Sequence, residues 1–410
     1  MLPARACTAL FRSATLLLAC TPLLGMRPAV LVVMLWVLSA LLHRIAVKEE
    51  RRAPDLRTFL LLSSPFLLMV FDLLRADDIA AAWTIAERSS FLAIAPLVVF
   101  VLRPPVDDRL RDRAADMFSL SALALALFAN ASIAITGIAA NIPFAQAYRA
   151  GFAEVTGIHP PFAAFFLLLG ALFQLHRMLG RAPASAWRIG IGGALVLSGA
   201  LIASRTPLVA FTCSALVLLW MHLPHQRAIR HSGVLLLVAV LLVLVVPSAR
   251  QRVLEPFRTE LSIPAPGASN SVSERFVIGH CSWALLRSNW LFGLGQSEVQ
   301  PSMDACYAQF NDPRYLDGSY STHQQALHWW LSFGVLGLSV FLMLFGRPLY
   351  NAIVDHDARL ASFLAFALIC CMTENVLARQ WGVVPFAFFL SLFTRGLFAG
   401  ARSPRKRSQR

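Results

Sequence analysis

Three short polar segments of this sequence carry side chains that could bind a phosphate or move a proton. They are SRTP (204–207), SVSER (271–275) and STHQQ (321–325). Guanidinium groups bind phosphate oxygens through two parallel hydrogen bonds, and a neutral imidazole accepts a proton near pH 7. If Arg205, Arg275 and His323 meet, they could stabilise a diphosphate leaving group and deprotonate an attacking hydroxyl without a metal ion.

The segment around Arg205 is predicted to be a very short turn between two apolar stretches, 187–203 and 207–223. Pro207 suits the first position of a helix, and Thr206 can cap it. Such a turn would hold the guanidinium of Arg205 near the membrane surface. The alternative interpretation is an arginine that only sets topology or contacts lipid headgroups.

The segment around Arg275 is predicted to begin an amphipathic helix over about 272–289. Ser271 and Glu274 have the spacing of a capping box, and apolar residues follow at helical spacing. Arg275 falls in the first turn, where a helix already favours anions. Arg287, three turns later, is predicted to face solvent or lipid headgroups, where it is a candidate substrate contact.

His323 directly precedes another long apolar stretch. Thr322 and Gln325 also have capping-box spacing, which puts His323 in the first turn of a membrane helix. The positive end of the helix dipole disfavours an imidazolium there, so the ring is predicted to be neutral and able to accept a proton. The alternative is an interfacial histidine that only forms hydrogen bonds.

Membrane helices must position these segments, because 57% of the 410 residues are hydrophobic and only 14% are charged. Soluble proteins carry about 25% charged residues, so the composition excludes an ordinary soluble enzyme. A span needs roughly 20 apolar residues. We predict an all-α polytopic membrane protein with about twelve transmembrane helices: 8–25, 28–47, 57–74, 79–102, 115–138, 160–178, 187–203, 207–223, 233–249, 324–346, 358–377 and 381–399.

The distribution of Lys and Arg predicts the orientation of the chain. The loops after the even-numbered spans and the C-terminal tail are rich in these residues, whereas the opposite short loops hold only Arg27, Arg75, Arg149, Arg205 and Arg379. Basic loops stay in the cytoplasm, so both termini are predicted there. The net charge of +14 is then a topology signal rather than a sign of nucleic-acid binding.

The predicted organisation has four parts. They are nine helices over 1–249, a periplasmic loop over 250–322, three helices over 323–400 and a basic cytoplasmic tail over 401–410. A retained first span is favoured over a cleaved signal peptide. Cys281 and Cys306 both lie in the outward loop, where oxidation is possible.

Two further sets of polar residues were considered. Asp72, Arg75, Glu87 and Arg88 are interpreted as a structural salt-bridge cluster at the outer ends of two spans, with a donor-lipid channel as the second interpretation. Motifs of metal and nucleotide sites, such as H-E-x-x-H, C-x-x-C and a Walker loop, are missing from the sequence. We therefore predict neither a metal nor a cofactor.

Several ordered pieces of sequence resemble the bacterial O-antigen ligase and O-antigen polymerase-like membrane proteins. The pieces are SRT (204–206), Arg275 with NWLFGLG (289–295), HQQAL (323–327), FGVLG (333–337), HPPF (159–162) and ENVL (374–377) leading to Gly382. They cover roughly residues 155–395 and fall on one side of the predicted membrane. The chain departs from the family at Gln324, where many members have Asn, and at Trp290, where many have Pro.

The resemblance implies a GT-C-type glycosyltransferase acting at the periplasmic face of the bacterial inner membrane. A ligase moves O-antigen from undecaprenyl diphosphate to the lipid A-core oligosaccharide, and such enzymes resemble inverting, metal-independent transferases. By motif, Arg205 and Arg275 would hold the donor diphosphate and His323 would be the base. Glu374 would orient His323 or bind sugar, unless it only pairs with Arg379 or another arginine, and His159 would contact substrate.

Other functions stay open at this point. Within the same family, the chain could be an O-antigen polymerase or a protein O-oligosaccharyltransferase. A polysaccharide or lipid transporter is the alternative from a different class, but transporters often show two related halves, which are not visible here. A non-catalytic scaffold is the third. The predicted partners are the lipid-linked donor, the lipid A-core acceptor and membrane lipids.

Overall fold

The computed structural model describes residues 3–47, 53–140, 144–180, 185–258, 271–310, 312, 314–315 and 320–395, and these residues form helices and no strand. The first nine helices are α1 Ala4–Ala19, α2 Thr21–Leu24, α3 Met26–Ala46, α4 Leu56–Asp72, α5 Ile79–Ser89, α6 Phe91–Pro96, α7 Asp108–Ala140, α8 Phe144–Thr156 and α9 Pro160–Leu179. The others are α10 Ala186–Ile202, α11 Arg205–His222, α12 His225–Val245, α13 Pro247–Arg258, α14 Ser271–Asn289, α15 Val299–Tyr307, α16 Gln325–Val354, α17 Ala358–Cys371 and α18 Gln380–Thr394. The predicted tail, 401–410, lies outside the described residues.

Long apolar helices identify an all-α polytopic membrane protein. Among the described residues, seven helices are long and apolar enough to cross a membrane. An eighth candidate is the pair formed by α5 and by α6 with its π-helical continuation, which is bent by 42° as in a broken span or a re-entrant loop. Three shorter apolar helices are α10, α17 and α18. Each of the twelve predicted stretches coincides with a helix, and the count of twelve spans stays a prediction.

Helix α9 forms the centre of the bundle and α12 lies at its edge. In α9, 72% of the apolar stretch is buried, against 11% in α12. Aromatic rings fill the interior around α9, where Phe173 meets Phe389 of α18 at 4.7 Å between ring centroids. Phe389 also meets Phe118 of α7 edge-on at 5.2 Å. These offset and edge-on contacts are the favoured geometries for aromatic pairs, and they fix the helices that carry the polar residues at their ends.

The described residues of the segment predicted as a periplasmic loop are largely helical. The helix predicted over 272–289 occurs as α14, and α13 and α15 flank it in sequence. Its predicted amphipathic character is wrong, because apolar residues lie on its exposed face, as Phe276 and Trp283, and on its buried face, as Val277. A disulfide joins Cys281 of α14 to Cys306 of α15, with the Cα atoms 5.8 Å apart. Val277 and Met303 are fully buried between the two helices. Helices α14 and α15 therefore form one packed unit above the bundle.

A backbone break in α16 holds the end of α14 in place. Gly334 has φ +64°, which interrupts the helix, and the amide of Val335 donates to the carbonyl of Leu291 at 3.1 Å. A Cβ at Gly334 would lie 2.0 Å from that carbonyl oxygen, and one at Gly293 would lie 2.5 Å from the amide of Gly334. Only glycine allows the two segments to approach so closely at these angles.

An ion pair on α4 and the turn after it reinforces this junction. Arg75 donates to the carbonyls of Phe292 and Ser332, both at 2.6 Å, and pairs with the buried carboxylate of Asp72. Asp72 also accepts from the amide of Gln296 at 2.8 Å. The predicted salt-bridge cluster is therefore correct for Asp72 and Arg75. It is wrong for the other two members, Glu87 and Arg88, which are exposed on α5.

Candidate active site

Arg205 begins α11 after a sharp turn. Ala203 ends α10 in the left-handed conformation at φ +55°, and extended Ser204 precedes the helix. The predicted caps are therefore wrong in detail, because Thr206 and Pro207 lie inside the first turn and Thr206 instead pairs with Thr373. The predicted position of Arg205 at the end of the span is correct. Its Nη2 donates to Glu255 Oε2 at 2.6 Å.

Arg275 lies in the first turn of α14, as predicted. Its Nη2 is 3.7 Å from Oε1 of Glu374, and its side chain is 45% exposed. The capping box predicted for this turn falls partly on Ser271, whose side chain lies outside the described residues. The contact with Glu374 brings the helix above the bundle to the end of α17.

Glu374 connects Arg275 to His323. Its second oxygen, Oε2, is 3.2 Å from Nδ1 of His323. An ionised carboxylate only accepts, so Nδ1 is the donor in this contact, and in the neutral tautomer that carries this hydrogen Nε2 is the acceptor. The side chain of Glu374 is 15% exposed and that of His323 is 26% exposed. The sequence left the partner of Glu374 open between Arg379 and another arginine, and the structure gives Arg275.

The prediction that His323 lies in the first turn of a helix is wrong. Helix α16 begins at Gln325, and His323 precedes it with φ +47°. Gln325 does not cap, because its side-chain oxygen accepts from the amide of Leu377 at 2.7 Å. Thr322 likewise pairs with the buried amide of Asn375. These bonds to the segment after Glu374 hold His323 beside that carboxylate.

A polar cavity of about 110 Å³ lies between these residues. It is lined by Arg149, His159, Pro161, Ala203, Ser204, Arg205, Thr206, Arg275 and Glu374. Three arginines and one carboxylate give the cavity a positive balance, which suits a multiply charged anion. Of the predicted site residues, Arg205, Arg275, Glu374 and His159 line it, and His323 contacts it through Glu374.

His159 immediately precedes α9 at the cavity wall. Burial lowers the pKa of His159 below its ordinary value, with Glu374 acting in the opposite direction. The imidazole is therefore neutral at pH 7 and can accept as well as donate a hydrogen bond. This is compatible with a contact to substrate.

From the sequence, Arg149 is predicted only as an arginine of a short outward loop. It lies on α8 and donates to the carbonyl of Ile202 at 2.8 Å, which directs it to the end of α10. The amphipathic segment that joins two spans and carries both Arg149 and Glu154 was the available signal. Two charged residues in a helical segment at the end of a helix bundle indicate a functional segment rather than a simple connection.

The structure does not bring Arg287 to the cavity. Arg287 lies twelve residues after Arg275 on α14, which is about 18 Å along a helix. It is exposed, and its guanidinium is 6.0 Å from the ring centroid of Trp283. Its predicted contact with substrate has no support from this position.

A second, apolar cavity of about 540 Å³ opens between α10, α11 and α12. Val, Leu, Ala and Phe side chains of these helices make up most of its lining, and Arg205 and Val253 of α13 also contribute to it. Arg205 thus lines both cavities. A charged group beside an apolar space suits an amphiphilic ligand with a phosphate at one end.

A comparison with known families identifies this region of the chain. Residues 189–342 match the family model described as O-antigen ligase. This part of the chain is an O-antigen ligase family domain. The resemblance inferred from short motifs is thereby confirmed. No curated protein matches the chain.

The O-antigen ligase domain contains Arg205, Arg275 and His323, whereas Arg149, His159 and Glu374 come from outside the matched residues. The site is thus assembled from the family domain and from helices on both sides of it. The match of residues 189–342 to the O-antigen ligase family model supports a glycosyltransferase role on polysaccharide or lipid-linked substrates in a multi-pass bacterial membrane protein.

Proposed function

We propose that the protein is an O-antigen ligase. It transfers O-antigen polysaccharide from undecaprenyl diphosphate to the lipid A-core oligosaccharide at the periplasmic face of the inner membrane. The observation that carries this proposal is the bridging carboxylate of Glu374, 3.7 Å from Arg275 and 3.2 Å from His323, beside a cavity that Arg205 also lines.

In the proposed reaction, an acceptor hydroxyl attacks the anomeric carbon of the donor sugar. The bond between that carbon and the diphosphate oxygen breaks, and the electron pair leaves with the diphosphate. Arg205 and Arg275 bind the phosphate oxygens, where charge increases as the bond breaks. The Nε2 lone pair of His323 takes the proton of the acceptor hydroxyl, a contribution typically worth about 10²–10⁴-fold.

Glu374 has a positioning role in this scheme. By accepting the Nδ1 hydrogen it fixes the tautomer and the direction of the His323 ring. It also stabilises the imidazolium that forms when Nε2 takes a proton. The contact with Arg275 ties the helix that binds the donor to the base that acts on the acceptor.

The charge distribution supports a periplasmic site. On the opposite side of the bundle, acidic residues of α7 and the turn before it pair with arginines of neighbouring helices. These pairs are Arg188–Asp116 at 2.6 Å, Arg12–Asp107 at 2.9 Å and Arg359–Asp112 at 3.0 Å. Basic loops remain in the cytoplasm. The arginine cavity at the other ends then faces the periplasm.

The apolar cavity beside Arg205 supports a lipid-linked donor. Its volume of about 540 Å³ and largely hydrocarbon lining suit part of a polyprenyl chain, while Arg205 meets the diphosphate. A soluble nucleotide sugar would have no use for such a space.

Deletion of the gene tests the proposal. A ligase mutant should accumulate finished polymer on its lipid carrier and should lack polymer on lipid A-core. Single repeats attached to core would instead identify a polymerase, and normal lipopolysaccharide together with the loss of protein-linked glycans would identify a protein transferase. Purified enzyme should remain active in EDTA, because metal independence is part of the proposal.

A further inference from the structure

The guanidinium of Arg205 is already engaged by a carboxylate. Glu255 of α13 accepts from Nη2 of Arg205 at 2.6 Å, and the two side chains are 20% and 22% exposed. Glu255 is the single acidic residue in the sequence of α13, which otherwise carries three arginines. The contact is much tighter than the 3.7 Å approach of Glu374 to Arg275.

The ion pair lies where the phosphate of an amphiphile would have to bind. Arg205 lines both the polar and the apolar cavity, and Val253, two residues before Glu255, lines the apolar one. A donor with its chain in the apolar cavity would bring its diphosphate to Arg205. Carboxylate and phosphate oxygens use the same donors of a guanidinium, so they compete for it.

Helix α13 is attached to the least buried span. Only 11% of the apolar stretch of α12 is buried, and α13 follows α12 after a break at Val246. The described side chains of α13 itself are half-buried or exposed, so few buried apolar contacts would be lost if Glu255 withdrew from Arg205. Segments with few buried apolar contacts open at the lowest cost.

We propose that Glu255 is an internal competitor for the donor diphosphate, which occupies Arg205 in the unliganded protein and is displaced when the lipid-linked donor binds. This inference rests on the proposed function, because it takes Arg205 as a diphosphate ligand. It adds a residue that sets the threshold for donor binding without taking part in the chemistry.

An internal competitor changes which lipids can occupy the site. It weakens the apparent affinity of every anion by the fraction of protein in which Arg205 is available. Abundant lipid headgroups with one phosphate bind weakly. The same reduction in apparent affinity therefore leaves Arg205 without such a headgroup in most of the protein. A diphosphate carries more charge and can still displace Glu255.

Inorganic pyrophosphate, titrated into the full-length protein in detergent, tests the inference. Glu255→Gln keeps the size of the side chain and removes its charge, and should lower the Kd for pyrophosphate by roughly tenfold. In transfer assays the same variant should lower the KM for the lipid-linked donor. Glu255→Asp, a second variant that keeps the charge on a shorter side chain, should give a smaller gain.

Two controls make the result specific. Glu154→Gln removes one negative charge from an exposed position of α8 that is not part of the cavity lining, and should leave the Kd unchanged. In Arg205→Ala the further change Glu255→Gln should bring no gain. An unchanged Kd in Glu255→Gln, or a loss of kcat with unchanged KM, would overturn the inference, the latter because Glu255 would then act in the chemistry.

Failure of this inference is distinguishable from failure of the proposed function. If Arg205→Ala binds pyrophosphate and transfers glycan like the wild type, Arg205 is no diphosphate ligand and both ideas fail. If Arg205→Ala loses both properties while Glu255→Gln behaves as the wild type, the proposed function stands and the competitor role is wrong.

Discussion

A single carboxylate organises the candidate site at the scale of residues. Each oxygen of Glu374 faces a different partner, Arg275 on one side and His323 on the other. The carboxylate is largely buried, so the surrounding dielectric strengthens both interactions. Removing it would release the base and the arginine together, which makes Glu374 more sensitive to mutation than a surface acid.

Replacing Glu374 should slow transfer without abolishing donor binding. We expect Glu374→Ala to lower kcat by about 100-fold, because the His323 ring loses the partner that fixes its tautomer. Glu374→Gln still accepts a hydrogen bond and should lose less. The exposed Glu87→Gln serves as control, and wild-type kcat in Glu374→Ala would show that the contact with His323 has no catalytic consequence.

The two arginines of α14 should differ in their effects. Arg275→Ala should reduce transfer by about 100-fold through loss of a charged hydrogen-bond donor to the diphosphate. Arg287→Ala, on the same helix but outside the cavity, should retain most activity. Steady-state kinetics with the lipid-linked donor measures both, and an equal loss in both variants would mean that the helix presents its whole length to substrate.

Residue types at span ends predicted most of the site, but not its partners. Charged and titratable groups at the ends of membrane spans are costly unless they are paired or functional. This made four residues identifiable from the sequence: Arg205, Arg275, His323 and Glu374. The pairing of Arg205 with Glu255 was not identifiable, since that contact joins residues 50 positions apart and depends on how α13 folds back. Arg149 was missed for the same reason.

At the scale of elements, the close approach of two backbone segments holds α14 against α16. Three backbone hydrogen bonds join the turn after α14 to the break in α16. Among them, the amide of Leu294 donates to the carbonyl of Leu331 at 2.7 Å, and the amide of Gly295 donates to that of Ser332 at 2.9 Å. Arg75 then donates to carbonyls on both segments. The junction fixes α14, and with it Arg275, relative to the start of α16 near His323.

A methyl group at the break should destabilise the protein. Gly334→Ala places a Cβ at a left-handed angle and against the carbonyl of Leu291, so we expect a loss of at least about 2 kcal/mol. Gly346→Ala is the matched control on the same helix, because nothing lies within 4 Å of its Cβ position. Thermal unfolding in detergent measures both, and equal melting temperatures would contradict a tight junction.

Periodicity predicted the helices but not their interruptions. The predicted helix 272–289 occurs almost residue for residue, although its apolar residues are distributed over both its exposed and its buried face. The break at Gly334 lies in an uninterrupted apolar stretch, where a glycine alone does not distinguish a packed helix from a kinked one. The start of α16 was misplaced because Thr322 and Gln325 use their side chains for tertiary bonds instead of capping.

The whole molecule has two chemically different ends. One end holds the cavity lined by Arg149, Arg205 and Arg275, where Glu374 contacts Arg275 and Glu255 of α13 contacts Arg205. The other end pairs the aspartates of α7 with arginines of neighbouring helices, including Arg177 of α9 and Arg188 of α10. Composition and loop charge were enough to predict an all-α polytopic chain. Each apolar stretch indicates a helix by its own length, and each loop indicates a side of the membrane by its own basic residues.

The orientation is open to a direct test. A reporter that is active only in the periplasm, fused after residue 300, should be active, because residue 300 lies at the start of α15 on the cavity side. The same reporter at the C-terminus should be inactive. The reverse pattern would place the arginine cavity in the cytoplasm and would contradict a periplasmic ligase.

Transfer by purified protein, with a lipid-linked glycan donor and lipid A-core as acceptor, tests the central claim most directly. Products are separated by gel shift, and wild type is compared with His323→Ala at equal folded protein. The account predicts that His323→Ala binds the donor but transfers at least about 100-fold more slowly. Transfer by His323→Ala at the wild-type rate would contradict it.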